Sequence, residues 1–417
     1  MQVDRSSIKI CPICDILNCN LIEIFFIHQF KNSFFKASWV LAILFGILNT
    51  EMGVIGLLPS IAERFDVSIT QAGLLVSLFA LGIAISGPVM PLIFSKFNRK
   101  KVMLLVLGVF VLSNIVPLVT SSFNMLLVAR IIPAFLHPIY CSLAFTVAAS
   151  SVSEKEAPKA VSKVFIGISA GMIVGVPIAS FMDSTFSYEW AMAFFLIVNA
   201  LVFIATLLFV PSMPVKERLT YGAQFSVLKR PVLWISIVSV ILINASIFGV
   251  YSYLSEYLGT VSIISPNTIS LTLFIYGSAN IIGNIVVGRL LTHSPSKAVF
   301  MFPLLLVAVY TVLFFTGQFA VPMIITTIFW GIVAGGIMTN INQYLIMSAA
   351  PQAPDFANGL FISACNVGTT VGTAVGGVFI SQLGTAYVML AGIMFLVLGF
   401  VSIFFRRYMF ASVRQPS

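Results

Sequence analysis

Apolar stretches about 20 residues long follow one another along almost the whole sequence, and the first, Ser38 to Pro59, contains an acidic residue. At ~1.5 Å per helical residue, such a stretch crosses the ~30 Å hydrocarbon layer of a bilayer. A carboxyl group inside that layer costs several kcal/mol unless it is protonated, paired or hydrated. Glu51 is therefore the first candidate functional residue. The alternative is a structural carboxylate that bonds to another helix.

The helical positions around this acid predict its surroundings. Gly46, Asn49, Gly53 and Gly56 fall on one face of the helix, and Glu51 falls on the other. Small residues let a neighbouring helix approach closely. We expect the small face to pack against another helix and Glu51 to face a cavity or a polar partner.

The composition excludes an ordinary soluble protein. Charged residues make up 8% of the 417 residues and apolar residues 59%, whereas soluble domains carry about 25% charged residues. We predict an all-α polytopic membrane protein with twelve transmembrane helices. The predicted spans are 38–59, 71–94, 102–121, 124–149, 164–182, 190–210, 233–257, 268–291, 298–317, 320–346, 357–381 and 386–405.

The cations follow a topological pattern. Twenty of the 22 Lys and Arg residues lie in the terminal segments and in alternate connections; the other two are Arg64 and Arg130. Cytoplasmic loops of membrane proteins are enriched in Lys and Arg. This pattern predicts that both termini are cytoplasmic, and it argues against a nucleic-acid-binding surface.

The longest internal connection divides the chain into halves of similar length. We predict two pseudo-symmetric six-helix bundles, 37–210 and 232–406, joined by a cytoplasmic linker, 211–231. Residues 1–36 are interpreted as a cytoplasmic extension and residues 407–417 as a cytoplasmic tail.

The fourth span carries a polar stripe. Arg130, Ala134, His137 and Cys141 occur at i, i+4, i+7 and i+11, so they share one face of a helix. Arg130 lies at the same depth as Glu51, and paired charges are tolerated in a membrane. The pair is interpreted either as a proton site, in which Glu51 is protonated or coupled to Arg130, or as a static ion pair. His137 either relays protons or hydrogen-bonds a neighbour.

The second half offers amides rather than charges. Neutral donors and acceptors beside aromatic residues favour a neutral polar organic ligand. The candidate residues for a substrate cavity, with one from the first span, are Asn49, Asn244, Tyr251, Asn280, Asn284, Asn340, Gln343 and Asn366.

Glycines recur every four residues in two other spans. They are Gly167, Gly171 and Gly175 in the fifth and Gly368, Gly372 and Gly376 in the eleventh. This spacing permits close helix contact, and the stripes serve either packing or a hinge between the halves.

Several catalytic signatures are absent from the sequence. It has no phosphate-binding loop of the G-x4-G-K-[S/T] kind and no G-x-S-x-G, which argues against ATP-driven transport and hydrolase chemistry. Cys11, Cys14 and Cys19 form C-x2-C-x4-C without a complete set of four zinc ligands. We predict no metal, no cofactor and no enzymatic activity. A membrane sensor or an intramembrane enzyme is the remote alternative.

The motifs together resemble the major facilitator superfamily, in particular its twelve-span drug/proton antiporter branch, which contains sugar, nucleoside and chloramphenicol efflux permeases. Residues 49–62, N-T-E-M-G-V-I-G-L-L-P-S-I-A, resemble the first span of that branch. Arg130-x3-Ala134 stands in the place of a span-four R-x3-G motif. Gly171-x3-Gly175-Val176-Pro177 is similar to the span-five antiporter signature.

The connection after the second span resembles the family signature G-x3-D-R-x-G-R-K. Here Ser95, Lys96, Arg99 and Lys100 occupy it, and serine replaces the acidic residue. The resemblance assigns these residues, with Gly171, Gly175 and Pro177, to conformational change. It implies proton-coupled efflux of a small organic solute such as a drug, sugar or nucleoside, by a monomer in the cell (inner) membrane. Proton-coupled uptake is the alternative.

Overall fold

The computed structural model describes residues 45–150, 171, 174–210, 212–213 and 222–413. Eleven helices among these residues are long and apolar enough to cross a membrane. They are α1 (Phe45–Arg64), α2 (Ile69–Ser86), α3 (Arg99–Val119), α4 (Phe123–Ala144), α6 (Tyr188–Leu208), α7 (Pro231–Thr260), α8 (Pro266–His293), α9 (Pro295–Thr316), α10 (Ala320–Met347), α11 (Phe356–Leu383) and α12 (Thr385–Met409). A shorter described helix, 174–185, precedes α6 in the chain and is called α5.

Eleven of the predicted spans are thereby confirmed. The remaining span, 164–182, lies largely outside the described residues, as do segment 1–36, Gly167 and Cys11, Cys14 and Cys19. The second span was predicted to continue to residue 94, but α2 ends at Ser86 and a short helix, Met90–Phe94, follows. Pro88 lies in this interruption, and a proline there has no N–H to continue the helical hydrogen bonds.

Local sequence signals set several helix starts. Ser68 and Gln71 form a reciprocal capping box at the start of α2. The side chain of Asn98 caps α3 by accepting a hydrogen bond from the N–H of Lys101. Prolines begin α7, α8 and α9, where a missing N–H costs nothing.

Two membrane helices depart from α geometry beside candidate residues. Helix α1 tightens into a 3₁₀ turn at Val54–Leu57, directly after Glu51. Helix α10 widens into a π turn at Ile337–Ile341, which contains Asn340. Such turns shift the register of the side chains that follow, and π turns are frequent at functional sites.

The small face of α1 packs as predicted. A Cβ at Gly53 would lie against Phe195 of α6, and one at Gly56 would lie 2.8 Å from the backbone oxygen of Val176 in α5. Gly175 of α5 faces Asn49 in the same way. Small residues therefore bring three helices of the N-terminal half into contact.

The glycine stripe of α11 faces α7, which belongs to the same half. A Cβ at Gly368 would lie 2.6 Å from the backbone oxygen of Ile241, and one at Gly372 would fall on the backbone of Ala245. Gly171 faces the backbone of Phe45 in α1. These contacts favour packing within each half over a hinge between the halves.

The two halves meet through α2 with α11 and through α5 with α8. Thr70 Oγ1 donates to the backbone oxygen of Gly377 at 2.9 Å, and Thr370 Oγ1 donates to that of Ser77 at 3.1 Å. The hydroxyls of Ser180 and Ser270 lie 2.9 Å apart. Four of these six residues, Thr70, Gly377, Ser180 and Ser270, lie near the end of the molecule that carries the α1–α2 and α7–α8 connections.

Candidate functional site

A buried ion pair links α1 to α4. Nε2 of His137 lies 3.0 Å from Oε2 of Glu51, and the two side chains are only 8% and 10% exposed. The His137 ring packs edge-on against Phe79 at 6.2 Å between centroids, and Cys141 Sγ lies 3.7 Å from Nε2. Ala134, on the same stripe, contacts Gly82 of α2. The stripe predicted on α4 therefore points into the N-terminal half.

In this structure the carboxylate of Glu51 lies beside His137, and its predicted coupling to Arg130 stays a prediction. The Arg130 guanidinium instead donates from Nη2 to the backbone oxygens of Thr50 at 3.1 Å and Glu51 at 2.9 Å. A carbonyl oxygen has two lone pairs, so it can accept from Arg130 as well as from its own helix. The guanidinium also lies 5.0 Å above the ring of Phe79, in cation–π geometry.

Two further polar residues, Asn199 and Thr50, stabilise this part of α1 and are not among the predicted site residues. Asn199 of α6 donates to Thr50 Oγ1 at 2.6 Å, and Thr50 Oγ1 donates to the backbone oxygen of Gly46 at 3.1 Å. Asn199 is fully buried. The available signal was its position as a lone amide in an otherwise apolar span.

A small cavity lies beside Arg130 inside the N-terminal half. Its volume is about 20 Å³, enough for about one water molecule, and Thr50, Asn114 and Arg130 contribute polar groups to its wall. Together these features place a carboxylate, an imidazole and a guanidinium in one largely enclosed, low-dielectric region. A change of protonation there alters local interaction energies strongly.

Three of the predicted cavity residues are buried in helix contacts in this structure, and their role in a substrate cavity stays a prediction. Asn49 is fully buried against Gly175. Asn244 donates to Thr369 Oγ1 at 3.0 Å and to the backbone oxygen of Cys365 at 2.5 Å, which ties α7 to α11. Tyr251 stacks on Tyr276 with 4.8 Å between ring centroids.

The aromatic residues of the second half form a core. Trp330 is fully buried, and it contacts Tyr276 at 4.9 Å and Tyr310 at 5.5 Å between centroids. These rings come from α8, α9 and α10. They hold the C-terminal half together rather than line an open cavity.

Five predicted cavity residues are half-buried: Asn280, Asn284, Asn340, Gln343 and Asn366. Asn340 Nδ2 donates to Oδ1 of Asn284 at 2.6 Å and so links α10 to α8. Asn280 and Asn366 donate to backbone oxygens one turn earlier in their own helices. Half-buried amides with unused hydrogen-bonding capacity remain candidates for contact with a solute.

The basic connection between α2 and α3 binds the end of α6. Lys100 Nζ donates to the backbone oxygen of Leu207 at 2.8 Å, and the N–H of Arg99 donates to that of Met213. Lys96 Nζ lies 5.4 Å from the centroid of the Phe97 ring. Ser95 begins this turn in place of an acidic residue.

Among the described residues, eleven helices are long and apolar enough to cross a membrane, and a carboxylate and an imidazole are buried between two of them. These features define a polytopic membrane protein. A family model described as Major Facilitator Superfamily matches residues 39–263 and 233–417. The chain belongs to this superfamily, whose members are transporters of small-molecule solutes and fold as twelve membrane helices.

Named relatives are similar in sequence to this chain over most of its length. It is 31% identical to the MFS-type transporter YtbD of Bacillus subtilis, covering 82% of this chain and 87% of the relative. It is 29% identical to the inner membrane transport protein YdhP of Escherichia coli, covering 84% and 90%. It is 26% identical to a Helicobacter pylori protein named "Probable sugar efflux transporter", covering 86% and 91%.

A solved structure shows the same fold. The nucleoside transporter NupG superposes with a TM-score of 0.75 at 14% identity, covering 91% of this chain and 100% of that structure. The chain is thus a multi-pass membrane transporter of the superfamily.

Proposed function

We propose that this protein is a proton-coupled efflux transporter, an antiporter that exports a small organic solute such as a drug, sugar or nucleoside. It works by alternating access, as a monomer in the cell (inner) membrane, with both termini in the cytoplasm. It carries out no enzymatic step and needs no cofactor. The buried Glu51–His137 pair at 3.0 Å is the observation that carries this proposal.

The pair supports coupling because its stability depends on protonation. The carboxylate of Glu51 attracts a protonated His137, whereas the neutral acid does not. Protons entering from outside load Glu51, release its hold on α4 and change the free-energy difference between the two access states. Arg130 keeps the backbone of α1 in place through both states because it binds carbonyl oxygens, which do not titrate.

The solute class rests on the C-terminal half and on relatives. Half-buried amides on α8, α10 and α11 provide neutral hydrogen-bonding groups that match hydroxyls or bases. A relative whose name includes sugar efflux places sugars first among the solutes to be tried.

The experiment uses purified protein in liposomes with an imposed proton gradient and a lumenal pH dye. Sugars, nucleosides and amphiphilic drugs are added one at a time. We expect one class to dissipate the gradient with wild type and not with Glu51→Gln. Glu63→Gln is the matched control, since it removes an exposed carboxyl group from the same helix.

Labelled solute then gives the direction. Movement against the proton flux fits the antiporter, and movement with it identifies a symporter for uptake. Full gradient-driven transport by Glu51→Gln would remove the coupling role, while wild-type protein that transports none of the solutes would contradict the solute class.

A further inference from the structure

A groove between α7 and α12 opens onto the lipid-facing surface of the C-terminal half. Its volume is about 770 Å³. Its walls are apolar and come from Trp234, Val238, Leu242, Leu398, Val401 and Phe405. The side chains of Trp234 and Phe405 are 53% and 55% exposed, so the protein itself leaves them uncovered.

The groove has the length of one leaflet. Helices α7 and α12 run antiparallel, so Trp234 lies near Phe405 and Leu242 near Leu398. The eight residues from Trp234 to Leu242 rise about 12 Å, close to half of the ~30 Å hydrocarbon layer. An acyl chain of a single leaflet therefore fits along the groove.

The polar groups at the floor of the groove are already hydrogen-bonded within the protein. The Ser402 hydroxyl lies 2.7 Å from that of Ser239. Arg406, one turn further on, donates to Ser236 Oγ at 2.7 Å and to the backbone oxygen of Leu345 at 3.0 Å. Polar groups that are already bonded leave only apolar surface for an occupant.

One mouth of the groove is basic. Lys229 lines it, and the neighbouring Arg230 is exposed. The 3₁₀ segment Gly222–Lys229 ends here, and the Trp234 indole N–H donates to the backbone oxygen of Leu228 at 2.9 Å, which fixes the segment to α7. Tryptophan at this depth is typical of the membrane interface.

We propose that this groove binds a phospholipid with an anionic headgroup. The acyl chain lies along the apolar walls, and Lys229 and Arg230 contact the phosphate at the mouth. Basic residues beside an apolar inter-helix groove have the chemistry that recognises anionic lipids. The inference does not depend on the transported solute or on proton coupling.

The test is native mass spectrometry of the purified full chain in detergent, titrated with phosphatidylglycerol or phosphatidylethanolamine. We expect wild type to retain phosphatidylglycerol preferentially. Lys229→Gln/Arg230→Gln should weaken that retention about fivefold for each cation removed. Val401→Trp, which fills the groove at an exposed position, should reduce retention of both lipids.

The matched control is Arg289→Gln/Lys297→Gln, which removes two exposed cations, one from the end of α8 and one from the start of α9, on the same side of the membrane as Lys229. It should retain phosphatidylglycerol like wild type. Equal retention of both lipids by wild type, or an equal loss in the control, overturns the proposal. Full competition by glycerol phosphate would also overturn it, because it would indicate a site for free anions. A wild-type dimer that Val401→Trp dissociates would overturn it too, because the groove would then be a protein interface.

Discussion

Two residues of α4 contact different groups of α1, one a side chain and the other the backbone. His137 contacts the carboxylate of Glu51, whereas Arg130 contacts the backbone of the same turn. The first contact changes when a proton binds and the second does not. The contribution of the His137–Glu51 contact to stability should therefore vary with pH, whereas that of the Arg130–backbone contact should not.

We predict that His137→Leu destabilises the protein in a pH-dependent way. Glu51 then lies buried without its partner, and breaking a buried pair costs roughly 3–5 kcal/mol. A neutral acid costs less to bury than a carboxylate does, so the loss should be smaller at low pH. Stability is retained at low pH and lost as the pH rises.

Thermal unfolding of the detergent-purified variant at about pH 5 and about pH 8 measures this effect. Glu51→Gln/His137→Leu removes the titrating group and should recover most of the loss at the higher pH. An equal loss at both pH values in His137→Leu would show that packing of the ring, not the charge, is what matters.

Arg130→Lys tests the geometric contact. A lysine has no planar guanidinium to place over Phe79, and its ammonium is more strongly hydrated and so costs more to bury, so we predict a loss of about 1–3 kcal/mol. The control, Arg64→Lys, changes an arginine that pairs with Glu189 and whose side chain is 41% exposed. It should lose about 0–1 kcal/mol in the same unfolding measurement. Similar losses in the two variants would contradict the prediction.

At the scale of helices, the contact between α7 and α11 depends on residues without a side chain. Gly249 and Gly372 face each other: a Cβ at Gly249 would lie 3.0 Å from the backbone oxygen of Gly372. The helices are therefore close enough for dispersion contacts between their backbones, which drive helix association in lipid.

Gly372→Ala should destabilise the protein by about 1–3 kcal/mol, because its methyl group would fall on the backbone of Ala245. Gly359→Ala is the control on the same helix: nothing lies within 4 Å of its Cβ. That variant should be neutral or more stable by up to about 1 kcal/mol, since alanine favours a helix. Unfolding temperatures separate the two, and a stable Gly372→Ala would show that the helices can move apart.

Local patterns predicted these elements better than they predicted the partners of the polar residues. The spacing of Gly368, Gly372 and Gly376 repeats with the helix, so their common face follows from the sequence alone. Equal depth suggested that Arg130 would pair with Glu51. Because Arg130 and His137 share one face of α4, both turn towards α1, and residue counts could not decide which of them meets the carboxylate and which the backbone of Glu51.

The same reasoning applies to the polar and aromatic residues of the second half. Asn244 and Tyr251 were selected because polar and aromatic side chains suit a ligand, but residue type does not say which neighbour a side chain meets. Asn244 is satisfied by α11, and Tyr251 by an aromatic stack. Asn199 was missed because its partner, Thr50, lies almost 150 residues earlier in the chain.

At the scale of the whole molecule, the proposed alternating access would require α5 and α8 to separate where Ser180 meets Ser270. We predict that oxidising Ser180→Cys/Ser270→Cys, in a background without native cysteines, forms a cross-link and abolishes transport. A reductant should restore it. Transport in the liposome assay and gel mobility report the two events.

Ser239→Cys/Ser402→Cys supplies the control, because these hydroxyls lie 2.7 Å apart within the C-terminal half. Its cross-link should leave transport intact. Unimpaired transport by the fully cross-linked Ser180–Ser270 variant would show that this end of the molecule does not open.

The separation of buried ionisable groups in α1 and α4 from half-buried amides in α8, α10 and α11 has an evolutionary consequence. Under the proposed function, energy conversion and recognition reside in different halves of one polypeptide. Substitutions among the amides can then change the solute specificity without altering the proton coupling. A protein lineage could change its transported solute through substitutions in the C-terminal half alone. A hybrid that joins halves of two relatives would take its proton coupling from one relative and its solute specificity from the other.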